Sequence, residues 1–270
     1  MSATATTVAV PLADERANSL FRWNAVLSGL HGIQGLVILV ISLAAAEVVT
    51  APVVSSYLTF DSASQNLVPA ERTLFDLPIG PAVALFLFLS AAAHALLAWP
   101  ARGWYEGKLD QHIQPARWIE YALSSSVMIV VIAVLAGIQE IGTLLAIFGI
   151  NAAMNLFGWS MESADQGREK TQWNHYVFGS IAGIVPWLVI GIALWSASTE
   201  PGAAGVPTFV YIIFLSLFLS FNVFAITMVL QYAKVGRWRD YLVGEKTYML
   251  LSLFAKTLLA WQVFAGTLRP

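Results

Sequence analysis

The chain has 270 residues, 58% of them hydrophobic and only 11% charged, with a mean hydropathy of +0.70. About a quarter of residues are charged in ordinary soluble domains, so lipid is the solvent for most of this chain. Fourteen Lys and Arg against 16 Asp and Glu leave a net charge of -2 and no polybasic tail, which sets nucleic acid aside as a partner. The absence of cysteine removes disulfides, thiolate metal sites, palmitoylation and cysteine nucleophiles together.

The first 22 residues mix Asp14, Glu15, Arg16 and Arg22 and hold no short apolar core with a cleavage site, so they read as a polar tail and not a cleaved signal. A spanning helix needs about 20 mostly apolar residues. Seven stretches qualify: residues 23–46, 77–99, 117–136, 142–161, 175–195, 207–233 and 247–268. They predict an all-α bundle of seven transmembrane helices, a single membrane domain over residues 1–270. In the long loop at 47–76, β-branched residues around Pro52 predict a short β-hairpin. The third and fourth stretches nearly fuse, but one helix of about 45 residues would be twice what a bilayer needs. The polar pair Gln139 and Glu140 therefore predicts a tight turn between them. In the fifth stretch Pro186 frees a backbone carbonyl and predicts a kink.

Lys and Arg concentrate on one side. The tail and the second, fourth and sixth connections, with their flanks, hold Arg16, Arg22, Arg102, Lys108, Arg117, Arg168, Lys170, Lys234, Arg237, Arg239 and Lys246, whereas the other side has Arg72 and Arg269. Short connections rich in these residues stay cytoplasmic, so the amino terminus is expected inside, the carboxyl terminus outside and the 47–76 loop extracellular, in a multi-pass protein of the cell membrane.

With those charges set aside, Lys256 is the lysine left at bilayer depth, near the middle of the seventh stretch. A charged amine there is costly and points to function. The bland alternative is snorkelling, but at about 1.5 Å per residue the stem does not comfortably reach either headgroup layer. A buried lysine is tolerated when neutral, when paired, or when linked to an aldehyde as a Schiff base, which invites a cofactor. Glu120 is the natural charge partner, with Arg117 three residues earlier on the same face to hold it anionic. The alternative is an ordinary Arg/Glu pair at a helix start, because Glu120 lies only about one turn inside its span. His31 and His94 also fall inside spans, near Asn24, Gln34 and Ser90, and together suggest a polar cluster able to take up a proton. Among many aromatics, Trp187, Phe218, Phe221 and Trp261 sit mid-helix and are candidates to line a pocket. No Ser/His/Asp grouping or metal-ligand spacing converges on one site, so neither an enzyme nor a metal centre is expected.

Four strings carry a resemblance: Arg-Trp-Ile-Glu-Tyr-Ala-Leu-Ser-Ser-Ser-Val-Met-Ile-Val from Arg117; Leu-Leu-Ala-Ile-Phe-Gly-Ile-Asn-Ala before Phe-Gly-Trp; Ile-Ala-Gly-Ile-Val-Pro-Trp; and Ser-Leu-Phe-Ala-Lys-Thr-Leu-Leu-Ala-Trp-Gln-Val-Phe-Ala-Gly-Thr-Leu from Ser252. Over residues 20–270 the chain resembles the heliorhodopsins, inverted relatives of the microbial rhodopsins. The resemblance implies all-trans-retinal on Lys256 as a protonated Schiff base, with Glu120 as counterion and Ser252 close by. It further implies that His31, Gln34, Ser90, His94 and Tyr121 form the network that receives the proton. Met128 and Asn151, which stand in two of the strings, join Tyr121 among the expected chromophore contacts. A homodimer is implied as well, with the 47–76 loop contributing, in addition to membrane lipid and a signalling partner. The function expected is a light-absorbing photoreceptor that does not pump ions, because no acid follows Glu120 in its span and Ser252 stands where pumping rhodopsins carry a second carboxylate. A light-driven or light-gated ion transporter on the same fold, and a retinal-free transporter or scaffold, are the alternatives.

Overall fold

The computed structural model describes residues 14–45, 47–200 and 205–267. Most of the expected polar tail, residues 1–13, and the expected span end Leu268 with Arg269 lie outside them. The described helices are α1 (Asp14–Ala44), α2 (Ile79–Ala98), α3 (Arg102–Asp110), α4 (Pro115–Leu135), α5 (Ile141–Ala164), α6 (Trp173–Thr199), α7 (Thr208–Tyr232) and α8 (Tyr241–Thr267). All except α3 are long and apolar enough to cross a membrane, seven spans among the described residues. The strands β1 (Thr50–Asp61) and β2 (Asn66–Pro78) lie between α1 and α2.

Helix ends shift from the sequence reading, most at α1, at α8, which begins at Tyr241 and not at 247, and in the connection after α2. Helix α1 begins at Asp14, so the part of the tail from there to Arg22 is helical. Asp14 and Glu15 in its first turn suit the positive end of the helix dipole, and Arg16 pairs with Asp240 just before α8. The connection after α2 also folds, as α3, which sequence periodicity had not marked. It buries Tyr105 and Leu109, and the chain then turns through His112 at φ 55° and enters α4 at Pro115, whose missing N–H suits a first helical position. Gln114, just before that proline, is fully buried. The first turn of α4 thus lies within the protein.

At the other end, the expected break between the third and fourth spans is present. Gly137 takes φ 92°, a left-handed conformation that glycine adopts without penalty. Glu140 then caps α5 by accepting the Thr143 N–H at 2.6 Å. The backbone N–H groups of Gly142 and Thr143 hold the Glu140 carboxyl below its ordinary range. The hairpin is longer than expected, 12 and 13 residues in its strands, in an antiparallel register from Thr50 opposite Pro78 to Asp61 opposite Asn66, with an irregularity between Val53 and Val54. Asp61 closes its tip by accepting the N–H groups of Ala63 and Ser64. Val54 N–H donates to the Gln139 carbonyl at 2.9 Å, which docks the hairpin on the α4–α5 turn.

The core is apolar and centres on α4, where Met128, Ile129, Ile132 and Ala133 meet Phe86 and Leu87 of α2, Ile190 of α6, Ile213 and Leu217 of α7 and Leu259 of α8. Helix α6 runs through Pro186, which is buried and removes one rung of the helix ladder. Val26, Leu145, Leu188, Leu215 and Phe254 face outward, as expected of side chains whose solvent is lipid.

Candidate functional site

Lys256 and Glu120 meet. Nζ of Lys256 lies 2.8 Å from Oε1 of Glu120, with the side chains 3% and 9% exposed. Glu120 follows the buried residues Gln114, Arg117 and Trp118 at the start of α4. Lys256 also donates to Ser252 Oγ at 2.8 Å, one turn earlier on α8. Ser90 Oγ donates to the same Glu120 oxygen at 2.6 Å. The Tyr121 ring lies 5.2 Å from the ammonium, and its hydroxyl donates to the Tyr248 carbonyl at 2.9 Å.

A cavity of about 230 Å³ opens from Lys256 between α4, α5, α6 and α7. Trp187 stands against Phe214, Phe218 and Phe221, with ring centroids at 5.6, 5.4 and 5.4 Å in edge-to-face arrangement. Trp187, Phe218, Phe221, Met128, Tyr121 and Ser252, all expected chromophore contacts, line the cavity. Two expected contacts do not. Trp261 is 40% exposed and donates from Nε1 to Gln34 Oε1 at 3.1 Å, because five residues past Lys256 on a helix turns it to a different face. Asn151 is buried outside the cavity, but its amide donates to Ser125 and Ser126 at 2.8 and 3.0 Å and thereby sets Ser125, which does line it. Asn155, one turn on, reaches both Ser125 and the cavity.

The histidines pair. The rings of His31 and His94 stack with centroids 5.8 Å apart and planes 4° apart. His94 Nδ1 shares a 2.7 Å hydrogen bond with Asn24 Oδ1, and neither ring nitrogen of His31 has a hydrogen-bond partner. Gln34, expected in this cluster, turns away: it donates to Leu30 O and accepts from Trp261.

A second group of charges was misread. Arg117 belongs neither to the surface nor to Glu120: it is 6% exposed, donates to Glu162 Oε1 at 2.8 Å and to Glu245 Oε2 at 2.5 Å, and stacks over the Tyr248 ring at 4.3 Å. The Trp118 ring lines the cavity while its Nε1 donates to Glu162 Oε2 at 2.7 Å. A Cβ on Gly158 would overlap that ring, so glycine there lets α5 approach. Trp118 and Tyr248 together stand between the cavity and the Arg117 cluster.

An aromatic-walled cavity inside seven spans, ending on a buried lysine and its carboxylate, defines the layout of a rhodopsin-type retinal photoreceptor. The family model for heliorhodopsins matches residues 20–268, and the chain belongs to the heliorhodopsin family. No curated protein matches the chain. Membership implies a retinal chromophore, and the family is one of rhodopsins and not of typical enzymes.

Proposed function

We propose that this heliorhodopsin is a light sensor without net ion transport, with Lys256 as the attachment point of retinal and Glu120 as its counterion. The observation that carries the reading is the Lys256–Glu120 pair at 2.8 Å, at the head of a cavity walled by Trp187, Phe218 and Phe221. Bound there, retinal supplies an aldehyde to the lysine and a polyene that changes shape on absorbing light. The chain's own part is to keep the Lys256 nitrogen protonated in the dark, with Glu120 holding the opposite charge and Ser90 and Ser252 orienting the two. Glu120→Gln should therefore move the visible band to longer wavelength or let alkali bleach it at a lower pH. An unchanged spectrum and titration would assign the counterion elsewhere.

When the lysine nitrogen gives up its proton, Ser90 and the His31/His94 pair lie on the side that receives it. Return by the same route gives no net transfer. A pump needs proton-binding groups on both sides of the lysine. Beyond Glu120 in α4, beyond Lys256 in α8, and in all of α2, α6 and α7, no carboxylate is present. Glu140 lies at the hairpin end but caps α5 as an anion. Illuminated vesicles carrying the protein should accordingly show no sustained pH change of the kind a protonophore abolishes. A sustained, protonophore-sensitive change would make the protein a pump.

The reading includes an all-trans chromophore, an amino terminus on the cytoplasmic side, and a homodimer in contact with a signalling partner. Orientation is supported by the Lys and Arg count, which stays lopsided after the buried Arg117 is removed from it. The dimer is supported by the outward Tyr57, Leu58, Phe60 and Leu67 of the hairpin.

A further inference from the structure

The charges around Arg117 do not balance. One guanidinium faces two carboxylates, and all three side chains are at most 5% exposed. Among the described residues no second cation lies within ion-pair distance of Glu162 or Glu245. A net negative charge left in a low-dielectric interior is costly, and such sites take up a counter-charge. No group of three or more metal-ligating side chains occurs among the described residues, which leaves the proton as the counter-charge.

The hydrogen bonds say which carboxylate is the anion. Glu162 accepts from four donors, each at 2.7 or 2.8 Å: Arg117 Nη2, Tyr241 OH, Trp118 Nε1 and the Gln114 backbone N–H. That saturates an ionised carboxylate. Glu245 is served less well: Arg117 Nη1 reaches one oxygen, and the other has Tyr105 OH at 2.9 Å and a long contact of 3.4 Å from Gln114 Nε2. The Gln114 side chain is fully buried, and its Oε1 has no donor. An acceptor without a donor beside a carboxylate is what a protonated carboxyl would satisfy, and turning the Gln114 amide over brings its oxygen to that contact.

The other titratable groups around the pair are phenols or lie further out. Tyr232 of α7 faces Glu162, with Asp165 beyond it, and Tyr176 of α6 faces Tyr248. His112, before α4, stacks on Tyr241 at 5.2 Å. On the α1 and α2 side lie Asn24 and His94, which are bonded to each other. None of these brings a fixed positive charge.

We propose that Glu245 is a second proton site of this protein, carrying a proton in the dark while Arg117 and Glu162 remain a charged pair. It lies across the Trp118–Tyr248 wall from the retinal cavity, with Tyr105 of α3 donating to it.

The test is infrared spectroscopy of the dark, retinal-loaded protein in detergent near neutral pH, comparing carbon-13 glutamate-labelled with unlabelled protein. One protonated-carboxyl C=O band should appear in the difference and shift in deuterium oxide. Glu245→Gln should abolish it. Glu162→Gln should abolish it too, because Arg117 then has Glu245 alone to balance. Tyr105→Phe changes no charge and should keep the band. An unaltered visible spectrum establishes that each variant is folded. No labelled band in the parent protein, or a band that survives Glu245→Gln, overturns the assignment. A band lost in Glu245→Gln but retained in Glu162→Gln overturns it as well, because charge balance would not be what holds the proton. Absence of the band from the parent overturns the assignment even if a variant fails to fold.

Discussion

Lys256→Ala, produced with retinal supplied, should yield a colourless protein, a complete loss of the visible band. The expectation is absolute because the amine is the proposed covalent partner and no other lysine touches the cavity. Removing it also leaves Glu120 buried without its cation, and breaking a buried pair by deleting one partner costs about 3–5 kcal/mol. Loss of colour could then come from misfolding. The double variant Lys256→Ala/Glu120→Gln removes both charges, so it should regain stability and remain colourless. A hydroxylamine-sensitive visible band in either variant would place the attachment elsewhere.

Arg117→Gln should have the largest effect on stability of any change away from the retinal cavity. The guanidinium ties α4 to α5 through Glu162 and to α8 through Glu245, and stacks on Trp118 and Tyr248 at 4.9 and 4.3 Å. Its removal strands at least one buried carboxylate, at a cost of about 3–5 kcal/mol, which a thermal melt in detergent would read as a markedly lower midpoint. Adding Glu162→Gln to the variant should recover a large part of that loss by removing the stranded charge. A melt of Arg117→Gln within about 1 kcal/mol of the parent would mean that the cluster is wet and screened, as exposed pairs are.

The seven spans were legible because each is a long apolar run, and lipid exposure leaves that signal undiluted. Lys256 was legible for the same reason: a single ammonium in an apolar run is conspicuous. Arg117, Glu162 and Glu245 were not, since each lies within a turn or two of a helix end, where charge counting assigns side chains to the headgroup layer. What helped to hide them was α3, too short and glycine-rich to show a period, which brings a buried Tyr105 onto Glu245. A signal was present in the aromatics beside these charges: Trp118 follows Arg117, and Tyr241 lies one turn before Glu245. Tyr and Trp offer an N–H or O–H on an apolar body, and so suit the lining of a dry ionic site. Trp261 and Gln34 were misplaced because spacing along one helix fixes a face but not which neighbour that face meets.

The hairpin gives the bundle one stiff end. Strand β2 runs directly into α2, and β1 is bonded to the turn that joins α4 to α5. Three of the spanning helices are thereby braced on the same side of Lys256. A tilt started at that lysine has its pivot near the hairpin and sweeps its widest arc at the far end, where Arg16, Arg102 and Lys246 are held mostly by exposed or half-buried polar contacts. Amide exchange in the light should therefore quicken at the amino-terminal turns of α1 and α8 well before it does in the strands.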